Sequence, residues 1–244
     1  MLDPLIVLVP SPLVGPFSWS LVADELEDRG RQVIVSTDLS DPPNVEPAWH
    51  HATGGVVASL RWVASDRPAV IIGHSNAGPL LPVIGSSLAQ PVAGYLFVDG
   101  RLPHEGISRL DALEVIDPAL AADRLAALAN GRVYPTWTDE DLRELIPDRA
   151  RRHALLAEMR PRRPEYWTEP LPEVPAWPDA PCGYLLFSST YRAEADRARQ
   201  AGWPTRELPA GHFHLLVDPA AVADALLGLL AELPGSHYQR PNVG

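Results

Sequence analysis

Apolar residues gather in short runs at 5–9, 32–35, 69–73, 94–98, 183–187 and, more weakly, 204–208, each rich in Val, Ile, Leu or aromatic residues. Several are apolar at consecutive positions, the pattern of strands covered on both faces, which predicts a mostly parallel central sheet of about six strands. Between the runs the spacing of apolar positions becomes helical. Ser20 to Arg29 carries Leu21, Val22 and Leu26 on one face and stops at Gly30, and a last helix is expected from about Pro219 to Leu230. Thr53 is the expected cap of a second helix carrying Val56, Val57, Leu60 and Val63. Strands alternating with helices in this way predict an α/β fold with helices on both faces.

The interval between the strand ending near Val98 and the one starting at Gly183 is too long for a structureless loop. Helical patterns at 108–116, 118–129, 139–145 and 148–159 fill it. Prolines at 161, 164, 170, 172, 175, 178 and 181 then predict a stiff, extended return to the sheet. The chain of 244 residues therefore reads as one core, residues 1–100 and 179–244, interrupted by a helical cap or lid at 101–178.

Composition removes several chemistries. All 20 basic residues are arginine, and the absence of lysine excludes Schiff-base catalysis, a lysine-bound pyridoxal cofactor and a Walker A site. A net charge of −11 opposes nucleic-acid binding and points to a neutral or weakly charged small-molecule ligand, with no membrane partner. Leu5 to Val9 is too short to span a bilayer and Met1-Leu2-Asp3-Pro4 lacks a basic start, so a cytoplasmic location is expected. Cys182 stands alone, which excludes an intramolecular disulfide and a cysteine zinc site; it is expected to pack beside a strand. Neither a metal nor a cofactor is implied.

The most informative stretch is Ala69-Val70-Ile71-Ile72-Gly73-His74-Ser75-Asn76-Ala77-Gly78, where a buried strand runs into a serine flanked by small residues. A sharp strand-to-helix turn leaves no room for bulk two positions either side of the serine, and Gly73 and Ala77 meet that demand. With the order of elements across nearly the whole chain, this stretch resembles the α/β-hydrolase superfamily. The resemblance starts at what that family counts as its third strand, so its first strands are absent or unrecognisable here.

The resemblance implies that Ser75 is a nucleophile and that the Asn76 backbone N–H lies in an oxyanion hole. It places the base in the loop Leu208-Pro209-Ala210-Gly211-His212-Phe213-His214, where the family's small-residue-then-His pattern selects His212 over His214. The other histidines, at 50, 51, 74, 104, 153 and 237, read as structural or solvated. His104 is kept as a residue that touches substrate, because Leu102-Pro103-His104-Glu105-Gly106 follows a strand end. Most relatives carry the orienting acid just past the strand that runs 183–187 here, yet Ser188-Ser189-Thr190-Tyr191-Arg192-Ala193-Glu194 has no carboxylate at the expected place. Some branches move the acid to the end of the preceding strand, which here is Asp99. Glu194 is the alternative, and a Ser75–His212 pair working without an acid is a third.

The family draws its second oxyanion donor from the loop after its third strand, in a His-Gly-x sequence about nine residues ahead of a tryptophan. Counting back from Trp19 places Pro10 and Ser11 at the His-Gly positions and Pro12 at the donor, where proline has no N–H. Leu13 N–H and the Ser11 hydroxyl are the available substitutes. Tyr134, Trp137, Tyr166, Trp167 and Trp177 fall in the cap and its return, where the family overhangs its active site, and imply an aromatic pocket; packing within a helical lid is the plainer alternative. Arginines at 149, 151, 152, 160, 162 and 163 are expected on a solvated face; two of them turned inward would point to an anionic substrate.

Three functions compete at this level. A cofactor-free serine hydrolase of an ester, lactone or thioester leads, its substrate apolar or ring-containing. A non-hydrolytic relative, performing lyase, cyclase or carbon–carbon chemistry in secondary-metabolite tailoring, fits the proline at the donor position. A non-catalytic small-molecule binder has no need of both Ser75 and His212.

Overall fold

The computed structural model describes residues 3–37, 47–104 and 106–235. His237, Glu105 and the first two residues lie outside this set. Strands β1 (Leu5–Val9), β2 (Val33–Val35), β3 (Ala69–His74), β4 (Val92–Val98), β5 (Cys182–Leu186) and β6 (Thr205–Glu207) fall on the six apolar runs. All neighbours are parallel, in the order β2-β1-β3-β4-β5-β6. The winding reverses between β1 and β3, and in an open parallel sheet the crevice at the carboxyl ends of such a pair is the natural ligand site.

Helices α1 (Phe17–Asp28), α2 (Ala48–Ser59) and α3 (Leu81–Ser87) connect the first four strands. Between β4 and β5 lie α4 (Arg109–Ile116), α5 (Pro118–Ala129), α6 (Asp139–Leu142), α7 (Arg149–Ala157) and α8 (Pro164–Thr168); α9 (Arg192–Gln200) and α10 (Pro219–Glu232) complete the chain. Alternating strand residues feed two cores. Ile6, Leu8, Ile72 and Leu96 join the α1 and α10 side, whereas Val7, Ile71, Tyr95 and Phe97 join the α2, α3 and α9 side. Among the described residues no helix is long and apolar enough to cross a membrane. Cys182 is buried in the second core, and burial pushes its thiol up to about 12.

Three local expectations are corrected. The return segment is not wholly extended, since Pro164 opens α8, and α6 ends at Leu142 rather than 145. Thr53 sits inside α2, not at its start. The reason is tertiary: neither α1 nor α2 has a capping side chain of its own, their cap positions being Pro16 and Pro47. Glu158 accepts from Phe17 N–H at 2.8 Å, and Glu169 accepts from Ala48 N–H at 2.8 Å and Trp49 N–H at 3.2 Å. Both carboxylates come from the insertion between β4 and β5. Each satisfies orphan donors and faces the positive end of a helix dipole, so the insertion is pinned where the core helices begin.

Past β4 the chain folds back over the turn that follows β3. Asp99 has φ 37° and Ser75 φ 58°, left-handed conformations that non-glycine residues rarely adopt. A Cβ on Gly100 would lie 2.4 Å from the Ser75 carbonyl oxygen and 2.7 Å from its nitrogen, and one on Gly78 would lie 2.1 Å from the Arg101 carbonyl oxygen. These are backbone contacts that no rotamer can relieve. Gly100→Ala is therefore expected to destabilise the protein by about 2–3 kcal/mol or more, as overpacking against fixed atoms does. Urea denaturation measures this; a loss below about 0.5 kcal/mol contradicts the contact.

Candidate active site

The carboxyl ends of β3, β4 and β5 lie side by side, with His74 opposite Val98 and Val98 opposite Leu185. Ser75 leaves β3 in its left-handed conformation and enters a short 3₁₀ turn over Ser75–Leu80. Small neighbours allow it: a Cβ on Gly73 would meet Leu81 at 2.8 Å and the Ala77 methyl at 3.3 Å. The loop after β6 brings His212 alongside, with Nε2 3.0 Å from Ser75 Oγ and Nδ1 2.7 Å from Asp99 Oδ2. The Asp99 side chain has no exposure and that of His212 keeps 20 %.

Asp99 can sit buried as the partner of His212 Nδ1 because the segment after β5 provides for its carboxylate. Its Oδ1 accepts from Phe187 N–H at 2.9 Å and Ser188 N–H at 2.7 Å, and Ser188 Oγ donates to Oδ2 at 2.8 Å. Burial alone raises its pKa, but the hydrogen bond and charge of His212 and these backbone donors outweigh burial and hold it below the usual carboxylate range. The segment after β5 thus supplies donors where most relatives have the acid itself. Glu194 is engaged elsewhere, accepting from Leu102 N–H and the Arg197 guanidinium. A carboxylate oriented on Nδ1 leaves Nε2 to take the proton of a serine hydroxyl, which is what nucleophilic attack by serine requires.

His212 is held on both faces. The His74 ring lies 4.5 Å away, with Nε2 3.0 Å from the His212 carbonyl oxygen, and the Tyr191 ring stacks at 5.4 Å with 26° between planes. Burial pushes the pKa of the Tyr191 hydroxyl up, and Ser75 beside it opposes that push. Tyr191 had no motif to announce it; its only signal was its place after the strand where an acid was sought. His214 instead packs edge-on against Phe187, so His212 is the histidine of the site.

In the β1–α1 loop the Pro12 carbonyl accepts from Arg162 Nε at 2.8 Å and the Leu13 carbonyl from Arg160 N–H at 2.9 Å. Leu13 N–H points to Ser11 Oγ at 3.4 Å. Tyr166 and Trp167 pack with Leu13 in one cluster that Tyr134 joins, and Trp137 packs on Phe213 at 5.6 Å, beside His212. The remaining two pocket candidates lie elsewhere. Trp177 packs edge-on against the stacked rings of Phe97 and Trp203 in the core under α9, and His104 sits on the Glu194 carboxylate at 3.6 Å. The arginine face is also corrected, because Arg152 and Arg162 are buried; Arg152 pairs with Asp139 at 2.8 Å and donates to the carbonyls of Ile146 and Pro147, while Arg162 fastens the Pro12 loop. Neither inward turn reads as a substrate anchor. Among the described residues no cluster of three or more His, Cys, Asp or Glu is placed to hold a metal.

Residues 6–225 match the model of the Alpha/beta hydrolase family. The chain belongs to that family. An extracellular alpha/beta-hydrolase from a Paenibacillus species superposes with TM-score 0.74 at 15 % identity, covering 93 % of this chain and 99 % of its own. Tomato methylketone synthase I, solved with 2-tridecanone, gives TM-score 0.70 at 12 % identity over 98 % and 100 %. A pyrethroid hydrolase from Sphingobium faniae JZ-2 gives 0.68 at 18 % identity over 97 % and 100 %. A search of curated protein sequences gives no significant match. At these identities the structural likeness shows the hydrolase fold alone.

His74 carries a stability consequence of its own. Burial first, then the neighbouring His212, lowers its pKa from 6.5 to about 3, so it is neutral in the fold. The unfolded chain takes a proton there near pH 6.5 that the folded chain refuses. Stability from this residue is therefore complete above that pH and falls as the pH drops from about 6.5 towards 3. Between pH 7 and pH 5 the loss is about 2 kcal/mol. His74→Gln, which keeps a donor for the His212 carbonyl, is expected to remove that part of the acid sensitivity; equal pH slopes in urea for both proteins would refute it.

Proposed function

We propose that this protein is a cofactor-free serine hydrolase acting on an ester, lactone or thioester of an apolar or ring-containing substrate. The observation that carries the reading is the continuous hydrogen-bonded line from Asp99 through His212 to Ser75. Ser75 Oγ passes its proton to His212 Nε2 and forms a bond to the acyl carbon. The resulting tetrahedral centre collapses, the carbon–oxygen or carbon–sulfur bond to the leaving group breaks, and His212 returns the proton to that group. Water then repeats the sequence against the acyl-enzyme, releasing the acid and restoring the Ser75 hydroxyl.

The oxyanion is assigned to Asn76 N–H and the Ser11 hydroxyl. Ser11 Oγ accepts from Leu13 N–H, which orients it and leaves its own proton to donate, in place of the N–H that Pro12 lacks. Residues 101–178 act as the lid, and Tyr134, Trp137, Tyr166 and Trp167 offer the aromatic wall that favours a ring-containing acyl or alcohol part. A protein of this fold need not hydrolyse, and the proline at the donor position supports the second reading, a lyase or other non-hydrolytic activity on a similar small molecule.

A fluorophosphonate probe and an activated ester separate the two. Ser75 is expected to be the sole labelled residue by mass spectrometry, with a stoichiometric burst of acylation that Ser75→Ala abolishes; label elsewhere, or none on folded protein, removes the nucleophile. Two further variants test the departures from the usual pattern. Asp99→Asn presents an NH₂ to Nδ1 and imposes the wrong tautomer, so kcat should fall roughly 10³–10⁴-fold, whereas Glu194→Gln should change it little. Ser11→Ala should lower kcat by on the order of a hundredfold with KM nearly constant. An unchanged kcat in either Asp99→Asn or Ser11→Ala withdraws the role given to that residue.

A further inference from the structure

Arg101 is a partly buried arginine beside the Ser75 turn that pairs with no acid among the described residues. Its backbone is fixed at the turn after β3, because Gly78 packs on its carbonyl oxygen and the preceding Gly100 packs on Ser75. Its side chain is only partly exposed. The buried guanidinium of Arg109 pairs with Glu169 and that of Arg152 with Asp139, but among the described residues Arg101 forms no ion pair and no side-chain hydrogen bond. Its charge acts instead on the Tyr191 hydroxyl, which lies beside Ser75. A half-buried cation without a counter-ion is costly in a folded protein unless something brings the negative charge. A planar fork of donors matches a carboxylate, and such charge-assisted pairs are the strong ones.

We propose that Arg101, with the Tyr191 hydroxyl as a second donor, anchors a carboxylate group of the substrate beside Ser75. This deepens the serine-hydrolase reading and rests on it: the substrate class becomes a monoanionic ester that carries a free carboxylate within a few bonds of the scissile one. The strongly acidic chain would repel such a ligand at long range, and one local guanidinium offsets that at the site. Arg101 is a binding and specificity residue in this arrangement; the proton transfers remain with His212.

The test compares neutral para-nitrophenyl pentanoate with para-nitrophenyl hydrogen glutarate, anionic on the acyl side, and with para-carboxyphenyl pentanoate, anionic on the leaving-group side. In the wild type kcat/KM should favour one anionic ester over the neutral one by about tenfold or more, and Arg101→Gln should reduce that ratio by about tenfold, with Arg101→Lys retaining part of it. Brisk turnover with the same ratios in wild type and Arg101→Gln overturns the anchor and leaves the hydrolase standing. If no ester is cleaved, the hydrolase reading falls, and calorimetry of monomethyl glutarate on Ser75→Ala decides the anchor separately. Binding that weakens about tenfold when Arg101→Gln is added supports it, and no binding overturns it. If Arg101→Gln fails to fold, ionic strength is varied on the wild type: the anionic preference should shrink as salt rises, and a constant preference refutes the anchor.

Discussion

The backbone contact between Gly100 and Ser75 is the constraint on which the site is built. Two chain reversals, one after β3 and one after β4, are pressed together so closely that no side chain fits between them. Each reversal holds a residue in left-handed conformation, Ser75 at φ 58° and Asp99 at φ 37°. Such conformations persist only where the surroundings over-determine them, and here each is held by the other. Tyr184 locks the arrangement from β5, donating its hydroxyl proton to the Gly100 carbonyl at 2.6 Å while the Tyr184 hydroxyl oxygen accepts from Gly100 N–H at 3.2 Å. The Ser75 hydroxyl and the Asp99 carboxylate are thereby delivered side by side by two adjacent strand ends.

The imidazole between them is fixed by a different logic. Neutral His74 donates to the backbone of His212 from beneath, and Tyr191 covers the other face. A charged neighbour under the ring would disfavour a proton on His212, so burial of His74 in its neutral form leaves that imidazole able to accept one. Asp99 stays ionised in a fully buried place because two backbone N–H groups, a serine hydroxyl and His212 surround it.

The insertion between β4 and β5 contributes to the site through the backbone as much as through its aromatic rings. Glu158 and Glu169 terminate α1 and α2, Arg162 and Arg160 hold the carbonyls of Pro12 and Leu13, and Tyr166 and Trp167 pack on Leu13. The loop that would supply the second oxyanion donor is therefore shaped by residues distant in sequence. Pro12, which has no N–H, lies in a loop whose other polar groups are already directed, the Ser11 hydroxyl among them.

Local sequence determined the sheet, since six apolar runs of strand length leave few alternatives, and it determined the turn at Ser75, since Gly73 and Ala77 are small for a steric reason that acts within a few residues. His212 and Asp99 were legible through a family pattern and one carboxylate at a strand end. Tertiary structure decided what depends on partners far along the chain. Thr53 was passed over as a helix start because Glu169 caps Ala48, Arg152 and Arg162 turned inward because Asp139 and the Pro12 carbonyl receive them, and Trp177 entered a core through Phe97 and Trp203. Tyr191 came to the site, and Arg101 was left without an acid, only once the strands lay side by side. A periodic apolar pattern is read within one element, whereas the pairing of a polar group is settled by which elements the fold makes neighbours.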